Sequence, residues 1–579
     1  MNFRRTFTAI TLFIFISLQL LAGKFLENDL EVLANSAEWK NLLLMGDRSP
    51  DVIDPNFYAT TLPVDPLIEL TYLLENQNLS LMERFPARYD FISRHLDLHV
   101  PFEESDILTN YLSEMQFDSI SLFFASPYFG SSMSYFGHTF LRLNKVGNEM
   151  FSKTINFVGD IPEDISFASL AAKGLSGKLK GTYVVKPFYL IFQKYSEIEQ
   201  RLLLDYQIHV SEEDKRSLLF HLFELKDIGF DYSFIFNNCS SGLISLLQVI
   251  MPEFDLHEEF NNIVYPYDLP ITLLDMGVVT PTRAIHPKLE NLLSAYEGLS
   301  FRERIAFISL RNGKTAKTQA IANMDDGGLA DKFSYLLNGL YDLQFKVRDS
   351  YEDDYVPVKN LIYPPQRPFA DSTNVPLKNK LSTISLRATS GSDLWSYSVS
   401  FTPLSTKLIP YRFSQYHTGY FEVGKFELSY SNAGLKIDSL HFFEFESLSV
   451  INPFLNKLSK KSFIGFGYDD TYDTFRGYAE FGAGGSIGLF KGFLYVMPSF
   501  SLTANPFDIG ISSLIGYKLD FWKLSLRIES TLPLLSINQS LDKDLSVSFT
   551  SHINDRISIE GSYEMFKNQF DIGLQYSFR

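Results

Sequence analysis

Residues 570 to 578 read Phe-Asp-Ile-Gly-Leu-Gln-Tyr-Ser-Phe, so that Phe570, Ile572, Leu574, Tyr576 and Phe578 share one face and Asp571, Gly573, Gln575 and Ser577 the other. A period of two is the period of a strand, and no helix segregates these residues. The pattern recurs from about residue 380 onward, as in Tyr397 to Phe401, Phe421 to Tyr430 and Leu494 to Phe500, in roughly twelve segments of the ~10-residue length expected of transmembrane strands. A soluble sandwich or barrel alternates for the same reason. Long strands, aromatic richness and a Phe one residue from the C-terminus favour an outer-membrane barrel over 380–579, with Lys425, Glu427, Asp438 and Glu444 as lumen-facing groups.

The N-terminus supports export. Arg4 and Arg5 precede an apolar run from Phe7 to about Ala22, the pattern of a secretory signal ending near residue 23. Lys24 stands where a lipid-bearing Cys would follow Gly23, so lipidation is not expected. No later stretch approaches about 18 uninterrupted apolar residues, so any further membrane contact uses strands. The formal charge of −17 excludes a nucleic-acid partner, because phosphate binding needs a basic surface. No glycine-rich phosphate loop or dinucleotide fingerprint occurs, and no cofactor is implied.

Between signal and barrel the pattern changes three times. Residues 24–115 read as a helical leader, with Leu67, Leu70, Leu73 and Leu74 spaced for one buried face. In it His95 and His99 stand four apart, but a zinc-protease helix needs Glu after the first His and this chain has Leu96; a solvated face is the better reading, and no metal site is expected. Residues 116–295 read as α+β, with strands at Ser121 to Ala125, His138 to Leu143 and Lys153 to Val158, then a helical stretch from about Lys194 to Lys226. Residues 296–379 read as a helical and irregular linker, with one helix near Leu329 to Arg348. The fold class is therefore multidomain, α+β followed by an all-β antiparallel barrel.

The only Cys of the chain, Cys239, follows Asn237 and Asn238, both good helix N-caps, and precedes the apolar stripe of Leu243, Ile244, Leu246 and Leu247. A lone thiol in an oxidising compartment is either buried or used. A first-turn position favours the thiolate, which is the nucleophile. A thiol nucleophile needs a base, and His138 opens a strand with Asn156 on what would be the neighbouring one, able to orient the ring. His209, His221 and His257 lie in helical or acidic surroundings and read as surface residues.

These residues carry a resemblance. Phe136 to Arg142, the Gly174 to Gly181 loop, Tyr195 to Arg201, His221 to Leu225 and Asn238-Cys239-Ser240 resemble, in order, the periplasmic domain family of the Lnb-type lipoprotein N-acyltransferase, a circularly permuted relative of papain-like thiol hydrolases. Trp39 to Leu43 and Arg84 to Tyr89 resemble the helical leader of longer members. Gln200 and Glu83 depart from the family pattern, where Asn and Cys stand.

The resemblance implies Cys239 as nucleophile, His138 as general base and Asn156 as the ring-orienting residue, with Asp160 its substitute. Asn238, Ser240 and Arg142 are supporting candidates, and the amides of Cys239 and Ser240 would be the oxyanion donors. The expected activity is thiol-dependent acyl transfer or hydrolysis on an envelope acyl substrate, with outer-membrane lipids, lipoproteins or peptidoglycan as partners. A peptidoglycan peptidase or amidase and a catalytically retired structural protein are the alternatives.

Overall fold

The structure, a computed structural model, describes residues 29–45, 52–96, 105–128, 134, 136–162, 165, 169–170, 173–174, 176–260, 264–312, 324, 326–345, 382–390, 395–406, 416–432, 434–454, 457–469, 474–490, 492–505, 507–521, 523–537, 544–554 and 556–578. The expected signal segment and His99 lie outside these, as does the chain from 346 to 379. The chain divides into two compact units: Met1–Phe124 with His138–Ile191 and Asp205–Pro281, and Ala125–Gly137 with Phe192–Leu204 and Thr282–Arg579.

In the first unit the leader forms α1 (Ala37–Leu42), α2 (Pro66–Glu75), α3 (Leu79–Arg84), α4 (Pro86–Leu96) and α5 (Asp106–Met115). Asp65 caps α2 by accepting from the Leu67 and Ile68 amides, and the expected face buries Leu70 and Leu73 completely. Trp39, Leu43, Phe85 and Phe91 complete a core that also takes Phe220 and Val249 from α7 (Glu212–Glu224) and α8 (Cys239–Ile250). The leader helices thus share one apolar core with the helices of the α/β part.

A seven-stranded sheet of order β6-β4-β3-β2-β1-β5-β7 carries the site. Its strands are β1 (Ser119–Ala125), β2 (His138–Asn144), β3 (Lys153–Asp160), β4 (Leu179–Pro187), β5 (Leu203–Ile208), β6 (Phe230–Tyr232) and β7 (Val279–Ile285). The three strands expected from sequence are present. The continuous helix expected over 194–226 is not: the short helix α6 (Phe188–Phe192) leads into a π-helical turn at Gln193–Ile198, β5 follows, and the helix resumes only at α7. The reason is the short, nearly all-buried run Leu203–Ile208, which suits a sheet interior better than one stripe of a helix.

His221 corrects another expectation. It is completely buried on α7, because that helix is clasped on the leader side by α4 and loses its solvent face. The adjoining charge centre is fully buried too. Arg88 pairs with Glu69 at 2.8 Å and with Glu224 at 3.3 Å, lies over the rings of Phe57 and Phe85, and donates to the Phe57 carbonyl.

Among its described residues the second unit includes the helices α11 (Lys288–Glu297), α12 (Phe301–Asn312) and α13 (Gly327–Phe345), and the barrel. The helices bury Leu292, Phe307, Phe333, Leu336 and Leu337 together with Tyr416 and Phe454, so this stretch is a packed element with a core, and α12 goes beyond the single helix expected.

The barrel strands are β8 (Ser382–Ser390), β9 (Trp395–Thr402), β10 (Leu404–Ser405), β11 (His417–Ser431), β12 (Gly434–Ser449), β13 (Ser459–Asp469), β14 (Thr474–Leu489), β15 (Gly492–Ala504), β16 (Asp508–Phe521), β17 (Leu524–Ser536), β18 (Asp544–His552), β19 (Ile557–Glu564) and β20 (Gln569–Phe578). From β10 to β20 each pairs antiparallel with the next, β20 pairs β8, β8 pairs β9, and β9 pairs β11, which closes the ring. β9 and β10 are one stave interrupted at Pro403, which has no N–H to give the ladder, so the barrel has twelve.

Alternation sorts the two surfaces. Ile572, Leu574 and Tyr576 are 44%, 48% and 43% exposed while Asp571, Gln575 and Ser577 between them are buried. Leu386, Val399, Ile464, Val496, Ile528 and Val547 continue the apolar outer face on other strands. Apolar outside with polar and charged groups inside is the inverse of a soluble barrel and defines an outer-membrane type. Among the described residues no helix is long and apolar enough to cross a membrane.

Candidate functional site

The site is assembled where α8 meets β2 and β3 in the first unit. Asn238 has an extended backbone, and its Oδ1 accepts from the Ser240 amide at 2.9 Å and the Ser241 amide at 3.5 Å. Its Nδ2 donates to the Val264 carbonyl at 2.7 Å. The cap therefore starts the helix at Cys239 and ties that point to the chain between α9 (Leu256–Glu259) and α10 (Asp268–Asp275). Every residue of α8 is buried, as its apolar stripe requires.

Close approach fixes the depth of α8 on the sheet. A Cβ on Gly242 would meet the Phe157 ring at 2.4 Å, and the Tyr183 hydroxyl donates to the Gly242 carbonyl at 2.7 Å. Thr139 faces the helix beside Phe157. Its Oγ1 lies 2.9 Å from Ser240 Oγ and donates to Cys239 Sγ at 3.8 Å. Cys239 is 3% exposed.

The preceding residue, His138 at the start of β2, is half-buried, and its Nε2 lies 3.4 Å from Asn156 Oδ1. Asn156 is itself oriented. Its Nδ2 donates to Thr154 Oγ1 at 3.1 Å, and that hydroxyl donates to the Lys186 carbonyl at 2.9 Å on the neighbouring strand. With the amide so turned, Oδ1 accepts from Nε2–H, and Nδ1 is the basic nitrogen of the ring. His138, Asn156 and Cys239, the three residues expected for the chemistry, stand at the first position of β2, the middle of β3 and the first turn of α8.

The supporting candidates divide. Asn238 is the cap. Ser240 contributes a buried hydroxyl, but its amide is taken by Asn238 Oδ1, which removes it from the expected pair of oxyanion donors. Arg142 is engaged elsewhere: it pairs with Asp205 at 3.3 Å and lies over the rings of Phe123 and Phe188 at 4.6 and 4.7 Å, a packing role four residues along β2 from His138. Asp160 sits exposed at the far end of β3. Thr139 and Thr154 were missed by the sequence reading, though period-two alternation puts Thr154 on the face of Asn156 and Thr139 on the face opposite His138.

His209 and His95 have partners of their own. His209 is exposed and contacts Thr280 Oγ1 at 3.0 Å, as a surface residue does. His95 contacts the Phe91 carbonyl at 2.9 Å on its own helix. Among the described residues no group of three His, Cys, Asp or Glu converges to hold a metal ion.

Comparisons with known proteins fall on the same two regions. Residues 416–578 match the model of a domain of unknown function, DUF7840. No curated protein matches the chain. Among solved structures, similarity is found to the KdgM porin in complex with disordered oligogalacturonate, at 14% identity over 34% of this chain and 99% of that one, with a TM-score of 0.22. A bacterial polysaccharide outer membrane secretin is similar at 9% identity over 35% and 99%, TM-score 0.21. A porin variant of Rh. blastica is similar at 8% identity over 34% and 99%, TM-score 0.15. At TM-scores this low the barrel assignment rests on the strand pairing and burial described above. Residues 108–275, which carry Cys239, His138 and Asn156, match the model of the Lnb N-terminal periplasmic domain, the family whose motifs the sequence resembles.

Proposed function

We propose that the α/β unit is a periplasmic thiol-dependent acyltransferase or hydrolase of papain-like type, held at the outer membrane by the barrel and acting on an envelope acyl substrate. The observation that carries this reading is the juxtaposition at the start of β2: Thr139 reaches the Cys239 sulfur while His138, one residue before, is held through Nε2 by Asn156. A nucleophile at a helix N-terminus, a base and an oriented third group form the constellation used for thiol catalysis.

In this mechanism His138 Nδ1 takes the proton of the Cys239 thiol, and the thiolate attacks an ester or amide carbonyl. The tetrahedral intermediate collapses with cleavage of the C–O or C–N bond, and the imidazolium returns its proton to the leaving group. The thioester is resolved by water or by an amine, whose proton passes to His138 as the Cys239 sulfur leaves. A lipoprotein's ester-linked chain as donor and its N-terminal amine as acceptor is the transfer that the resemblance implies; a peptidoglycan peptide bond is the competing substrate.

The deep burial of Cys239 favours a second reading, in which the domain no longer turns over and serves as a structural envelope component. Alkylation of Cys239 in detergent-solubilised protein separates the two. Labelling near neutral pH that slows sharply in His138→Ala supports the acyl-transfer reading; labelling that is slow, or indifferent to His138, sinks it and leaves the structural one.

A further inference from the structure

Twelve strands stand between the eight-stranded barrel, whose interior side chains fill it, and the 16–18-stranded porin, which keeps a water channel; strand number alone therefore does not decide whether this barrel is open. The inward side chains do. From the closed pairing order, β12 and β17 lie five strands apart, and β11 and β17 lie six apart, on opposite walls of the ring. Arg527 on β17 reaches Glu446 on β12 with both guanidinium nitrogens, at 2.6 and 2.8 Å. Its guanidinium carbon also lies 5.8 Å from the ring of Tyr420 on β11.

These are contacts across a lumen. Further bridges run the same way: Lys518 on β16 lies 3.6 Å from Glu446, and Lys461 on β13 lies 3.1 Å from Glu529 on β17. Register confirms that they occupy one level. Tyr420, Glu446 and Lys461 stand directly opposite one another on three neighbouring strands, and Lys518 stands opposite Arg527.

The same level is closed on its other side by apolar groups. Leu448, Phe493, Tyr495, Met497 and Leu514 form a cluster in which no member is more than 2% exposed. Tyr495 gives its hydroxyl to Glu529, and its ring fills the place of an absent side chain, since a Cβ on Gly516 would meet Tyr495 Cζ at 2.3 Å. The Glu446 side chain is 0% exposed. A water column through this level would solvate that carboxylate, and a fully desolvated carboxylate is held only by paired cations.

We infer that the barrel is a sealed, non-conducting anchor whose lumen is closed by the Glu446–Arg527 bridge between opposite walls and the apolar cluster beside it. This assigns a role to the barrel that is independent of the chemistry proposed for Cys239. The bidentate pair is the lock, because its removal separates the walls at the middle of the plug while leaving the strand ladder and the outer face untouched.

The test is planar-bilayer recording on the full chain after purification in detergent, with heat-modifiable migration on gels confirming that each preparation is a folded barrel. The wild type is expected to insert without producing current steps. The Glu446→Ala/Arg527→Ala double variant is expected to give stepwise currents, and the milder Arg527→Lys, which keeps the charge but loses the two-pronged geometry, brief openings. Ile528→Ala, on the outer face beside the lock, is expected to stay silent. Steady wild-type currents of porin type overturn the inference, and so do folded lock variants that remain as silent as the wild type.

Discussion

The Thr139 hydroxyl donates to the sulfur of Cys239 at 3.8 Å while standing 2.9 Å from the Ser240 hydroxyl, so two buried hydroxyls are arranged around the thiol of a helix's first residue. A donor aimed at sulfur stabilises the thiolate more than the thiol. Thr139→Val keeps the shape and removes the donor. Its expected effect is a pH profile of Cys239 alkylation displaced toward higher pH, with stability lowered by about 1 kcal/mol through the stranded Ser240 hydroxyl. An unmoved profile would show that the hydroxyl only packs.

Asn156 is a positioning residue in the proposed chemistry, held by Thr154 and holding His138. Asn156→Ala is expected to slow acylation by roughly 10- to 100-fold, less than the loss of the general base itself at about 100- to 10,000-fold. Combined with His138→Ala it should add almost nothing, because the amide acts through the ring. Equal losses in the presence and absence of His138 would refute that dependence.

Asn238→Ala removes a cap and strands the Val264 carbonyl that Nδ2 serves. The cost expected is at the upper end of the cap range, about 2 kcal/mol. It should appear as a lower denaturant midpoint with an unchanged slope. Asn238→Ser, which keeps the acceptor for the helix amides, is expected to recover about half.

Acidity in the leader core has a definite sign. Burial, with Arg88 beside it, holds His221 down at about 3, against an ordinary 6.5. Burial lifts Glu224 to about 7 from 4.5, and Arg88 offsets this only in part because the guanidinium is shared with Glu69. For His221 the unfolded chain binds the proton first, so its contribution is lost as pH falls below 6.5. For Glu224 the folded chain keeps the proton longer, so its contribution is lost as pH rises from 4.5 to about 7.

Between about 4.5 and 6.5 the two slopes oppose each other, and stability of this core is expected to be nearly flat. His221→Phe exposes the Glu224 slope, with a fall on the order of 3 kcal/mol as pH rises to about 7. Trp39, buried in this core, reports it by fluorescence once Trp395 and Trp522 are replaced by Phe. A variant as flat as the wild type would remove Glu224 from the account.

Sequence alone determined the features that depend on neighbours along the chain. Alternation from Tyr397 to Phe578 specified strands with an apolar and a polar face, and ring closure follows because edges are not tolerated in a bilayer. Asn238 before an apolar stripe specified a helix beginning at Cys239. The leader helices were legible from Leu67, Leu70 and Leu73 for the same reason.

Relations between residues far apart in sequence depend instead on how the elements pack. The charges on its own helix point His221 to the surface, whereas the leader helices bury it from outside that helix. Leu203–Ile208 is a short apolar run with no decisive period, so it fits a helix as well as a strand along the chain, and the sheet that accepts it is assembled from distant strands. Thr139 beside Cys239, the Ser240 amide consumed by its own cap, and Arg527 meeting Glu446 from the opposite wall all depend on how closely surfaces approach. Periodicity says which face a side chain is on, and packing alone says what it meets there.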